Sequence, residues 1–391
     1  MDQIKNQIKI KIGELSKDLF AISEWLKANP ETAYHEVRAC EHLGEALSQH
    51  GFDVERGAGG VETAFVARPS KPKSTRPNIA FLAEYDALPE IGHACGHNMI
   101  AAASLGAAFA LKEILGDSSG CLTVVGTPAE EGGGGKAKLA EAGIFEEIDA
   151  AMMFHPASSN LPGKDFLSRI KFKLEFFGKA AHASGSPDRG LNALDGLVCA
   201  YVGMNSLRQH LKADGRIHGI ITHGGQSPNT IPDYTAGVFY VRAGTVEYRD
   251  ELFERVKKCA EGAALATGTE FKIEIDQPVL DSMKRNAALE AAAGANMEAL
   301  GLSFDEDDGR RGSSDIGNLS HYLPAIHPLL AIVDPDSGFT AHSVEFRDAT
   351  TTPRGREALL NAAAMLAFTA YDFLMSEDLR NKVKADFNQA I

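Results

Sequence analysis

Apolar positions recur with helical spacing from about residue 4 to 28 and again over 35 to 50, and Asn29-Pro30 breaks the pattern between them. Further along, short apolar runs alternate with helical stretches. Ile79 to Ala83, Leu122 to Gly126, Ala150 to Phe154 and Leu329 to Val333 each read as a strand buried on both faces, and the helices between them predict parallel βαβ units. Between about 167 and 280 the period shortens to alternation, as in SRIKFKLEFFG and YTAGVFYVRA, with helix-like segments at 190 to 211 and 247 to 266. The pattern predicts an α/β chain. A larger domain with a mostly parallel sheet and helices on both faces comprises 1–166 and 281–391, and a smaller α+β domain at 167–280 interrupts it.

Composition narrows this picture without changing it. At 391 residues the chain exceeds what one hydrophobic core usually fills, so two domains are expected. No uninterrupted apolar run approaches the roughly 18 residues needed to span a membrane. The first segment, MDQIKNQIKIKIGELSKDLF, scatters charges among its apolar residues and lacks a small-residue cleavage site, so it is expected to be a mature helix of a cytoplasmic protein. The cysteines Cys40, Cys95, Cys121, Cys199 and Cys259 are odd in number and widely spaced, which argues against a disulfide framework. A formal net charge of −14 with no basic cluster disfavours nucleic acid as a partner. The Lys/Pro/Ser stretch at 69–77 is expected to form a surface loop, and the acidic FDEDDG stretch at 304–309 to be solvated.

The residues after the buried runs are chemically unusual. After the first come Glu84, Tyr85 and Asp86, then His93-Ala94-Cys95-Gly96-His97-Asn98; after the second comes Glu130-Glu131; after the third His155; after the last His342. In open parallel sheets the functional crevice lies beyond the carboxyl ends of the strands, so these residues are expected to converge there. Thiolate, imidazole and carboxylate together are the donor set of zinc and related metals. Adjacent carboxylates allow one to hold metal while the other takes a proton from water, although two glutamates alone read equally as an acidic helix start. The run Gly132 to Gly135 before Lys136 fails as a phosphate loop, because Glu130 stands where the first Gly belongs and Ala137 where Ser or Thr belongs. The glycines are expected to make a tight turn into a helix. No Gly-x-Ser-x-Gly elbow is present, which leaves serine hydrolase chemistry weakly supported.

Taken together, EYDALPEIGHACGHNMIAAASLGAA, TPAEEGGGGK, MMFHP, GKAAHAS, GGQSPNTIP, GSSDIGN and TAHS resemble the aminoacylase, carboxypeptidase G and auxin-conjugate amidohydrolase family of metallopeptidases. The branch of p-aminobenzoyl-glutamate hydrolase and related dipeptidases is the most similar. The resemblance implies two divalent metal ions per subunit, Zn or Mn, held by Cys95, His97, Glu131, His155 and His342. Glu130 would be the general base and later proton donor, and Asp86 would orient a ligand. Other branches carry a His where this chain has Glu84, so the Cys-containing ligand set is implied instead, and Asn98 stands where the auxin-conjugate branch often has Asp. In the smaller domain, a lid and dimerisation domain by the same resemblance, His182 would reach a partner subunit's site and polarise the scissile carbonyl. Asn229 and Arg242 would hold the substrate. The implied activity is hydrolysis of the amide or peptide bond of N-acyl or N-aroyl amino acids or small dipeptides by a homodimer or higher homo-oligomer. A hydrolytic deaminase or other C–N hydrolase acting on a nonpeptide small molecule is the alternative within enzymes. A noncatalytic metal-binding scaffold is the alternative outside them, and the intact Glu130 argues against it.

Overall fold

A computed structural model describes residues 2–70, 76–116 and 121–389, so part of the loop expected at 69–77 lies outside the described residues. The chain divides into two compact units, one formed by Met1–Asp165, Met283–Arg310 and Asp315–Ile391, the other by Phe166–Ser282 with Arg311–Ser314.

The first unit begins with α1 (Gln3–Glu14), α2 (Ser16–Ala28) and α3 (Val37–Gln49). The single helix expected over 4–28 is therefore two helices, separated at Leu15 just after Gly13, where no side chain supports the turn. Strands β1 (Phe52–Arg56), β2 (Phe65–Pro69) and β3 (Asn78–Ala83) follow, then α4 (His97–Leu115), β4 (Cys121–Gly126), α5 (Gly135–Glu141), β5 (Ala150–Met152) and β6 (His155–Ala157). Every residue of β3 and β4 is buried, as their continuous apolar sequences require.

The second unit runs β7 (Ser168–Phe177), α6 (Ala193–Leu207), β8 (Arg216–His223), β9 (Tyr234–Ala243), α7 (Val246–Thr267) and β10 (Glu270–Leu280). The chain then returns through α8 (Ala287–Ala299), α9 (Ile316–Ser320), β11 (Ala325–Ile326), β12 (Leu329–Ala331), α10 (Val344–Ala349), α11 (Pro353–Met375) and α12 (Glu377–Gln389).

The first unit's main sheet has the order β1-β2-β4-β3-β5-β11. Its β4, β3, β5 and β11 are parallel, and β1 and β2 add an antiparallel edge. The apolar run 329–333 does not join this sheet. Its β12 pairs with β6 in a separate two-stranded sheet, and β11 pairs with β5 in the main sheet. His327-Pro328 separates β11 from β12, and Pro has no N–H to continue a ladder. The stretch 150–154 divides in the same way, so His155 opens β6 rather than trailing β5. Helices α4 and α11 are long and apolar enough by composition to cross a membrane, but 78% and 72% of their apolar windows are buried, and they pack on each other.

In the second unit the sheet order is β10-β7-β9-β8, antiparallel throughout. Inward residues Ile170, Phe172, Leu174, Phe239 and Val241 pack under α6 and α7. Each such side chain contributes about 1.5–3 kcal/mol when fully buried. Strands β8 and β10 are additional to the sequence expectation; both lie at sheet edges and bury few residues, so their hydrophobic signal is weak.

Candidate metal centre and active site

The residues following β3 and opening α4 form the first wall of the site. His97 is the first residue of α4, and Gly96 before it has φ +85°; a Cβ there would stand 2.4 Å from Pro156 Cγ. Buried Asp86 then divides its two oxygens. Oδ1 accepts from His97 Nδ1 at 2.9 Å, and Oδ2 accepts from the Glu131 backbone N at 2.9 Å. One carboxylate thus fixes an imidazole and the backbone of a second candidate ligand. With Nδ1 held, His97 presents Nε2, which lies 3.3 Å from Glu84 Oε2.

The second wall is the turn between β4 and α5. Ala129 has φ +62°, a conformation that costs a non-glycine residue about 1–2 kcal/mol. Its carbonyl accepts from Gly133 N at 2.9 Å and Gly134 N at 2.7 Å, closing a tight loop around Glu130 and Glu131. The glycine run is therefore a turn into a helix, as its sequence predicts. Glu131 Oε1 lies 3.2 Å from His342 Nε2, and His342 has φ +71° with its N donating to Ala94 O at 2.9 Å. Cys95 Sγ is 3.4 Å from His155 Nε2, while His155 Nδ1 is fixed 2.8 Å from Pro156 O.

Three overlapping groups have donor atoms mutually within 4.8 Å: Cys95, His97 and His155; Cys95, Glu131 and His342; and His97, Glu130 and Glu131. The donor chemistry suits a divalent transition metal. Buried His97 Nε2 and Glu84 Oε2 make no hydrogen bond, a costly condition for polar atoms that a cation would relieve.

Burial and mutual charge shift these groups strongly. Burial pushes the Cys95 thiol up despite His97 beside it. His97, although burial opposes its charge, is raised by Asp86 and Glu84. Glu130 is pushed up by burial and then by Glu84, Glu131 and Asp315, whereas Glu131, against its burial, is held down by His342 and His97. The adjacent carboxyls thus separate, one tending to keep a proton and one to lose it.

A buried cation behind the centre was not singled out from sequence. Lys136 is fully buried, its Nζ 2.6 Å from Asp315 Oδ1 and 2.5 Å from Glu84 Oε1, and its backbone N donates to Asp315 Oδ2. Its signal was present: a lysine behind a glycine turn that carries no nucleotide motif. Asp315 lay unread among the serines of GSSD.

In the second unit His182 is exposed, and its Nδ1 accepts from Gly185 N at 3.0 Å and Ser184 N at 3.3 Å. Its Nε2 therefore carries the proton as a free donor. Asn229 is brought beside it, Ala183 N donating to Asn229 O and residues 182 and 230 forming a bridge. Arg242 is elsewhere. Its Nη1 donates to Ser313 Oγ at 2.8 Å, and its guanidinium faces Tyr240 beside Arg169. Tyr234 opens β9 and Arg242 is its penultimate residue, roughly 27 Å away at about 3.4 Å per residue. Pairing between 178–183 and 229–233 continues the ladder past Tyr234, so Asn229 lies farther still from Arg242.

Residues 80–367 match the family described as peptidase family M20/M25/M40. The chain belongs to this family. It is a metal-dependent hydrolase of amide or peptide bonds, and this M20 chain keeps a metal-competent donor set. It is 36% identical to the Xaa-Arg dipeptidase of Mus musculus over 99% of its own length and 93% of that protein. It is also 36% identical to one of the p-aminobenzoyl-glutamate hydrolase subunits of Escherichia coli (strain K12), over 69% of this chain and 60% of that one. Among solved structures, a dinuclear metal-binding peptidase of the M20 family from Bacillus subtilis shares the fold with a TM-score of 0.71 at 21% identity, covering 93% of this chain and 99% of that chain. An aminobenzoyl-glutamate utilization protein from Klebsiella pneumoniae does so at 0.74 and 19%, covering 93% and 98%.

Proposed function

We propose that this M20 hydrolase cleaves the amide or peptide bond of N-acyl or N-aroyl amino acids or small dipeptides, using two divalent cations, Zn or Mn, per subunit. The observation that carries this reading is the overlap of three donor groups with Glu130 at their edge. Cys95, His97, Glu131, His155 and His342 would hold the ions. When bound, the cations polarise the scissile carbonyl and acidify water. Glu130, as a carboxylate beside the bound cations, would take the proton of the attacking water and deliver it to the leaving nitrogen. Asp86 keeps His97 and the Glu131 backbone in place. The names of the relatives support the substrate class: one is a dipeptidase and another an aroyl-glutamate hydrolase.

His182 Nε2–H supplies a donor for the oxyanion, Asn229 accompanies it, and Arg242 takes a substrate carboxylate. A small acyl amino acid cannot reach both ends of β9, so Arg242 and the His182–Asn229 pair acting on one substrate come from different chains. This reading requires a homodimer. Its seam is supported by edge strand β8, whose Ile220 is 66% exposed, and by Val202 of α6 at 56%. Turnover of a panel of N-acyl amino acids, aroyl glutamates and dipeptides, before and after chelation and readdition of Zn or Mn, tests the proposal. Hydrolysis lost on chelation and restored by metal is expected. Undiminished hydrolysis by verified metal-free protein would overturn the reading.

A further inference from the structure

The family match begins at residue 80, yet the turn that carries Glu130 and Glu131 is held from residues 34–36, upstream of that match. Glu36 is fully buried at the start of α3, and its Oε1 accepts from the Ala129 backbone N at 2.9 Å. Ala129 is the residue with φ +62° immediately before Glu130. Two residues upstream of Glu36, Tyr34 donates its hydroxyl to Gly133 O at 2.5 Å. The Tyr34 ring occupies the space a Cβ at Gly133 would need, with Cε2 2.4 Å from that position, and Lys138 lies 4.0 Å over the ring centre. One short segment therefore grips the turn at its first and fifth residues. The same segment fixes the neighbouring wall: Ala87 N donates to Glu31 O at 2.8 Å, next to Asp86.

A burial cost this large for a carboxyl, with only one of its oxygens hydrogen-bonded, is unusual unless the bond it makes matters. What the bond does is specific. It satisfies the backbone N–H of the left-handed Ala129, as Asp86 satisfies that of Glu131 two residues on.

We propose that Glu36 is a positioning residue for hydrolysis: it holds Ala129 in the left-handed conformation and thereby aims the Glu130 carboxyl, with Tyr34 steadying the far side of the turn. The inference rests on the assignment of Glu130 as proton carrier. It adds a requirement that Ala129 itself makes testable, because glycine adopts positive φ freely and alanine does not.

The experiment measures kcat, KM, bound metal per chain and thermal midpoint for Glu36→Ala, Glu36→Gln, Ala129→Gly and the double variant Glu36→Ala/Ala129→Gly. Glu36→Ala lowers kcat about 10- to 100-fold with KM and metal content held, since misplacing a reacting group by about 1 Å costs up to about 100-fold. Glu36→Gln keeps the acceptor oxygen and stays near the wild-type kcat. Ala129→Gly also stays near it, and in the double variant glycine recovers most of the kcat lost in Glu36→Ala. A role in general stability predicts the reverse, with the glycine adding to the loss. Additive losses in the double variant, an unchanged kcat in Glu36→Ala, or metal lost in proportion to activity would each overturn the proposal. Should Glu36→Ala not fold, Tyr34→Phe removes one hydrogen bond and keeps the ring; a kcat lowered about 3- to 10-fold supports the clamp, and an unchanged one overturns it. Glu130→Gln measured alongside separates the two levels. Retained turnover there defeats the Glu130 assignment, whereas loss there with no glycine rescue defeats only the clamp.

Discussion

The turn at 129–135 in one unit and the loop at 182–185 in the other carry the two groups assigned to proton transfer and carbonyl polarisation, and they are held in opposite ways. The first is fixed by buried carboxyls and a buried lysine: Asp86 on the Glu131 backbone, Glu36 on Ala129, and Lys136 between Asp315 and Glu84. The second is exposed and fixed without charge, by two N–H groups donating to His182 Nδ1 and by pairing with residues 229–230. Loss of a buried partner leaves an uncompensated charge and strikes stability as well as chemistry. Loss of the exposed imidazole removes a donor and little else.

The sharpest way to break this contrast is at its buried end. Lys136→Met strips the counter-charge from Glu84 and Asp315, and the fold is expected to lose about 3–5 kcal/mol in denaturant titration. A loss below about 1 kcal/mol would show that this buried cluster does not hold the turn. His182→Ala comes next. It should lower kcat about 100- to 1,000-fold, equivalent to about 2.7–4 kcal/mol of transition-state stabilisation, with melting midpoint and metal content unchanged. Co-expressing it with Glu130→Gln sharpens the test, because a mixed dimer places both lesions in one composite site and leaves the other intact. Recovered activity in purified heterodimers supports the subunit-crossing role, and none, with normal folding, contradicts it.

Arg242→Gln is expected to raise KM for carboxylate-terminated substrates about 10- to 100-fold, following the roughly 1.5–3 kcal/mol of a charged hydrogen bond, while leaving their amides nearly unaffected. Equal losses on both forms would remove the carboxylate assignment. The last effect is in pH. Burial raises Glu36 from 4.5 to about 7. Across that window the folded chain keeps the proton and the unfolded chain has released it, so this group makes stability fall as pH rises, by at most about 1.4 kcal/mol per unit. Glu36→Gln should remove this component, so that the stability difference between the two proteins changes with pH between 4.5 and 7. A constant difference would place the carboxyl's titration elsewhere.

Much of this was legible in the chain because its signals are local. Continuous apolar runs marked β3 and β4, strict alternation marked β7 and β9, and the strand-end positions of Asp86, Glu130 and Glu131 agreed with the parallel-sheet rule. What stayed hidden depends on pairing across distance. That Leu329–Ala331 leaves the main sheet for His155–Ala157 is set by tertiary register, which no window of sequence carries. The Lys136–Asp315 pair joins residues 179 apart, and Glu36 and Ala129 are 93 apart. The separation of Asn229 from Arg242 was equally unreadable until the length and pairing of β9 gave it a scale.

The account turns on Glu130 acting as proton carrier beside cations held by its neighbours. Glu130→Gln, loaded with Zn or Mn and assayed for metal per chain and turnover on the same sample, addresses that claim most directly. Two ions retained per chain with turnover lowered about 100- to 10,000-fold is the predicted result. Near-normal turnover, or a loss of activity that merely tracks a loss of metal, would contradict it.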